Sequence, residues 1–74
     1  MARLTPLKPG AVVRKLRQRG FSGPFPGGKH QRMVNLSTGQ IIPIPMHKGK
    51  DIGVGLIREI IRELGVTREE WLEL

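Results

Sequence analysis

Apolar positions along this chain change period twice, and the changes divide it into helix, strand and helix again. Val12, Val13 and Leu16 stand at i, i+1 and i+4 within Pro9–Arg19, forming one stripe of an amphipathic helix. Pro9 suits the first turn, where its missing N–H would be unpaired anyway, and Gly20 suits a left-handed stop. From Phe21 to Pro45 the helical period vanishes. Phe21–Phe25, Lys29–Leu36 and Gln40–Pro45 read as three strands, with Ser37-Thr38-Gly39 as the turn between the last two. Proline cannot donate to a ladder, so Pro24, Pro43 and Pro45 put the outer two at sheet edges and Lys29–Leu36 in the centre. Four-residue spacing returns at Ile52, Leu56, Ile60 and Leu64, widened by Ile57 and Ile61 and closed by Gly65. Thr67 with Glu70 predicts a capping box for a last short helix carrying Trp71. The expected fold is α+β: an α-β-β-β-α order with a C-terminal helical turn, and a three-stranded antiparallel sheet covered on one face by two helices.

Charge changes the picture more than composition does. No Asp or Glu precedes Asp51, while Arg3, Lys8, Arg14, Lys15, Arg17, Arg19, Lys29, Arg32, Lys48 and Lys50 give residues 1–50 a charge of +10. The remainder carries all six acids against Arg58, Arg62 and Arg68, which leaves +7 in total. So many uncompensated cations in so short a chain point to a polyanionic partner, and phosphate backbones bind cations by releasing condensed counterions. Some of the charge late in the first helix simply complements its C-terminal dipole.

With 74 residues the chain is expected to form one domain, 1–74. Below roughly 70–80 residues a core often needs a staple or partner, and with no cysteine a disulfide cannot serve. The sequence predicts no signal peptide and no membrane span, and a cytoplasmic setting is expected. Two histidines with no carboxylate cluster nearby predict no metal site, and no cofactor is expected. Only Phe21, Phe25 and Trp71 are aromatic, which disfavours a base-stacking platform.

Two histidines lie inside the basic region. His30, in Gly27-Gly28-Lys29-His30 at the entrance to the central strand, can take a proton from a ribose 2′-hydroxyl so that its oxygen attacks the adjacent phosphorus. It can equally well only hydrogen-bond the loop or a phosphate. Lys29 and Arg32 are candidates to hold phosphate or stabilise charge on the phosphorane-like transition state. His47, beside Lys48 and Lys50, suits a general acid for the leaving 5′-oxygen, a phosphate donor, or a solvated loop residue. Gly53 and Gly55 open the long helix, either to leave N–H groups for phosphate or to pack closely on the sheet.

In order and spacing, these pieces resemble the HicA (YcfA-like) toxin family of toxin–antitoxin pairs. The resemblance rests on Leu16-Arg17-Gln18-Arg19-Gly20-Phe21, on Gly28-Lys29-His30 with Met33, and on Gly39 at the hairpin. It continues through Pro45-Met46-His47, Gly55-Leu56 to Ile60-Ile61, Leu64-Gly65-Val66 and Glu69-Glu70-Trp71. It implies a double-stranded-RNA-binding-like fold, metal-independent cleavage of mRNA with His30 as the catalytic residue, and neutralisation by a HicB-like antitoxin. The chain departs from the family pattern at Lys29, where a small residue is common, at Met33, where an aromatic is common, and in a hairpin one residue longer. A different class of function also fits the charge: a non-catalytic module reading the shape of double-stranded RNA. A protein-interaction domain whose basic face meets an acidic partner is a third reading.

Overall fold

The computed structural model describes residues 3–47 and 49–74. Its elements follow the order α1 (Pro9–Gln18), β1 (Phe21–Phe25), β2 (Gln31–Asn35), β3 (Ile41–Ile44), α2 (Val54–Leu64) and α3 (Arg68–Glu73). The sheet is antiparallel, in the order β1-β2-β3. Both the α+β class and the central place of the second strand hold as the sequence predicts.

Strand phase explains where the prolines sit. Asn35 N–H donates to Gln40 O at 2.8 Å, and counting along the ladder makes Met33–Ile42 and Gln31–Ile44 the other hydrogen-bonded pairs. Pro43 then falls at a non-bonded position opposite Arg32, its nitrogen facing away from β2. Pro45 follows with the same phase, so the outer edge of β3 offers few N–H donors to a foreign strand.

On β1 the register jumps between Ser22, opposite Val34, and Phe25, opposite Arg32. Gly23-Pro24 therefore bulges opposite a single residue. A Cβ at Gly23, whose φ is +121°, would lie 2.8 Å from Arg32 O, so no other residue fits this approach. The extra residue reverses the alternation of β1, turning Phe25 out to the open face, where it is 42% exposed, while Phe21 stays buried. Ser22, Phe25, Arg32, Val34, Ile41 and Pro43 share that uncovered face by register.

The other face bears the core. Phe21, Met33, Ile42 and Ile44 of the sheet pack with Val12, Val13 and Leu16 of α1, Ile57 and Ile60 of α2, and Trp71 of α3. Burial at about 25 cal/mol per Å² of apolar surface drives this association, so each helix turns its apolar stripe to the same side. α3 starts with the expected capping box: Thr67 Oγ1 accepts from Glu70 N at 3.0 Å and Thr67 N donates to Glu70 Oε1 at 2.8 Å.

Some boundaries differ from expectation. The central strand is shorter than Lys29–Leu36, because Asn35 Oδ1 accepts from Ser37 N and Thr38 N and bends the chain into the turn. At its other end Lys29 belongs to a turn and His30 to a bend. Ile52 does not begin the second helix. It exchanges backbone bonds with Leu7, N to O at 2.6 and 3.0 Å, which keeps it extended, and α2 starts after Gly53. No helix among the described residues is long and apolar enough to cross a membrane.

Candidate nucleic-acid interface and active site

Gln31 pairs with Ile44, so the residues just before β2 and just after β3 leave the sheet at one end. This register brings Lys29 and His30 to the same end as Pro45, Met46 and His47, although 17 positions separate the two histidines. Lys50 lies beyond the turn in which its N–H donates to His47 O at 3.0 Å. Lys29, His30, His47 and Lys50 are all exposed, and Lys48 lies outside the described residues.

The Leu7–Ile52 pair immediately precedes both N-caps, so the two long helices begin side by side. Gln40 Nε2, before β3, donates to Glu63 O near the end of α2, which leaves the start of α2 toward the histidine end. Neither N-cap, Lys8 nor Gly53, makes a side-chain cap, and neither first turn contains an acid. Their free N–H groups and dipoles leave positive potential at this end. α3 starts with Glu69 and Glu70 in its first turn instead. Asp51 is the acid nearest in sequence to these starts, and Lys8 pairs with it at 3.4 Å in an exposed bridge.

Cations of the basic half divide by what they touch. Lys15, counted above among the uncompensated cations, is only 8% exposed. Its Nζ donates to Trp71 O at 2.9 Å and Leu74 O at 3.1 Å and stands 5.3 Å from the Trp71 ring centroid. Desolvation by burial, then the charge of Arg14, lowers its pKa below the usual lysine value. Arg17 turns to the sheet edge, where Nε and Nη2 donate to Gly23 O at 3.1 and 2.7 Å and close the carbonyl of the bulge. Sequence reading missed both roles. Spacing puts Lys15 three residues after Val12, at the margin of the buried stripe, but its partners are 56 and 59 positions away.

Arg32, expected to meet phosphate, bends toward the loop before β2. Its Nη2 donates to Pro26 O at 3.3 Å and its stem lies over Gly27. Among the described residues no three His, Cys, Asp or Glu side chains gather to hold a metal ion. Such an end can bind phosphate through lysines and helix N–H groups while offering two imidazoles for proton transfer.

Residues 11–66 match the family model described as the HicA toxin of bacterial toxin-antitoxin. The chain belongs to the HicA toxin family. The matched span holds both histidines and the whole sheet, and it ends at Val66, so α3 and Trp71 lie beyond it. No curated protein matches the chain. As a HicA toxin this protein is the toxic member of a pair, and an antitoxin is its partner.

Proposed function

We propose that this HicA toxin is a metal-independent endonuclease of mRNA in which His30 is the general base. The observation that carries this reading is the register by which His30 and His47 leave the sheet at the same end, near helices with no acid in their first turns. In the reaction His30 takes the proton of a ribose 2′-hydroxyl, and the 2′-oxygen forms a bond to the adjacent phosphorus. The bond from phosphorus to the 5′-oxygen breaks, and His47 is the candidate to give that oxygen its proton. The products are a 2′,3′-cyclic phosphate and a free 5′-hydroxyl, and solvent restores both imidazoles. Lys29, Lys48 and Lys50 neutralise the phosphates on either side, where fixed cations stabilise charge that develops in the transition state.

The partner in this reading is a HicB-like antitoxin with an acidic surface, and toxin and antitoxin meet in the cytoplasm where mRNA is available. Covering His30 and the lysines beside it would stop cleavage and substrate binding together.

General acid–base catalysis contributes about 10²–10⁴-fold, so His30→Ala should lose cleavage by that order while keeping its fold and RNA affinity. The test compares growth arrest and RNA cleavage by the wild-type chain and His30→Ala, each alone and with the protein encoded by the adjacent reading frame. Undiminished cleavage by folded His30→Ala removes His30 from the mechanism. A harmless wild-type chain that binds RNA without cutting it leaves the double-stranded-RNA-binding module in front.

A further inference from the structure

Between Phe25 and Gln31 the chain is a loop, and Gly27 is half-buried while Pro26, Gly28, Lys29 and His30 are all exposed. The cover over Gly27 is the Arg32 side chain. A Cβ built on Gly27 would come within 2.6 Å of Arg32 Nε and 2.9 Å of both Cδ and Cγ. Three consecutive heavy positions of the arm therefore lie in contact with the glycine, and the guanidinium continues to Pro26 O, which accepts from Nη2 at 3.3 Å. Any side chain at position 27 would displace the whole arm, because Cγ cannot swing aside without a change at χ1. Gly27 does not have a left-handed φ, so its lack of a side chain matters here for space, not for backbone freedom.

Arg32 is well suited to anchor this loop. It stands on the central strand, opposite Phe25 on one side and Pro43 on the other, with strands paired along both of its sides. His30 is two residues away, outside the ladder and in a bend. Beyond the Phe25 pairing, the Arg32 side chain ties Pro26-Gly27 to the central strand.

We propose that Arg32 is a positioning residue: folded over Gly27 and bonded to Pro26 O, it fixes the loop that presents Lys29 and His30. This inference rests on the endonuclease reading of His30 and assigns Arg32 to geometry instead of phosphate binding. Misplacement of a catalytic group by about 1 Å can cost on the order of 100-fold in rate. A loosened loop therefore lowers the rate of the chemical step without weakening attachment of RNA.

The test uses the full chain and a single-stranded RNA substrate, with wild type, Gly27→Ala, Arg32→Ala, Arg32→Lys and the double variant Gly27→Ala/Arg32→Ala. RNA affinity is measured across salt concentrations with His30→Ala added to each, so that nothing is cut. Gly27→Ala, Arg32→Ala and Arg32→Lys should each lower kcat by about 10- to 100-fold, with KM, affinity and salt slope close to wild type. The double variant should be no worse than Arg32→Ala, since the arm that a methyl group at position 27 would strike is then gone. Amide hydrogen exchange of residues 27–30 should quicken in Arg32→Ala, a readout independent of cleavage. If Arg32→Ala instead weakens RNA binding and lowers the salt slope by about one while Gly27→Ala keeps full kcat, Arg32 is a phosphate contact and the inference falls. Wild-type protein that cuts no RNA removes the endonuclease reading. Unchanged exchange in Arg32→Ala removes the anchored loop by itself.

Discussion

A lysine that donates to the last carbonyls of a helix holds structure, whatever its charge suggests about ligands. Lys15 does so for α3, through Trp71 O and Leu74 O. Hydrogen bonds to a charged group contribute about 1.5–3 kcal/mol each when well made. Met keeps much of the arm's volume but has no donor. Lys15→Met should therefore lower unfolding stability by about 2 kcal/mol and shift the denaturant midpoint, leaving the salt dependence of RNA binding as in wild type. A variant with unchanged stability and a reduced salt slope would return Lys15 to the binding surface. At this scale the sequence showed which side chains carry charge, and it grouped Lys15 with the other cations of the first helix. It could not show which charges are used internally, because the partners of Lys15 and Arg17 are backbone carbonyls, and any residue type supplies those.

Among the elements, the short helix α3 depends most on a local device. Its capping box was legible because Thr67 and Glu70 are three residues apart and both bonds lie within one turn. The bond from Thr67 N–H, then that with the Thr67 side chain, lowers the Glu70 pKa below its ordinary value. A carboxylate with a depressed folded-state pKa stabilises the fold above its unfolded pKa, and that contribution is lost as pH falls through the folded value. Acidification below the ordinary carboxylate range should therefore loosen the start of α3 first, read as a change in Trp71 fluorescence before global unfolding. Glu70→Gln, with no carboxylate to titrate, should remove this acid-sensitive step. A Trp71 signal that changes only with the global transition, in both proteins, would show that the cap does not control α3.

At the scale of the whole molecule, both histidines and two exposed lysines come to one end of the sheet. Lys29 and Lys50 are exposed there, whereas Lys8 faces Asp51, Arg17 holds Gly23 O, and Lys15 is buried. RNA affinity should fall log-linearly with salt, with Lys29→Ala and Lys50→Ala each reducing the slope by about one. Arg17→Met should leave the slope unchanged, in contrast to an equal contribution from every cation of the basic half. An affinity insensitive to salt would point to a protein surface in place of RNA.

Element order, the central second strand, the helix stops at Gly20 and Gly65 and the α3 cap were all determined by the sequence. Each rests on interactions within a few residues: stripe spacing, missing proline donors, turn chemistry. Tertiary structure alone decided the rest. Packing set the Gly23-Pro24 bulge that turns Phe25 outward, and the Leu7 bridge that withholds Ile52 from α2. The register of Gln31 with Ile44 brought His30 and His47 to one end of the sheet. Close approach across the loop laid Arg32 over Gly27. These depend on which distant segments meet, and spacing along a chain carries no record of that until the strands have paired.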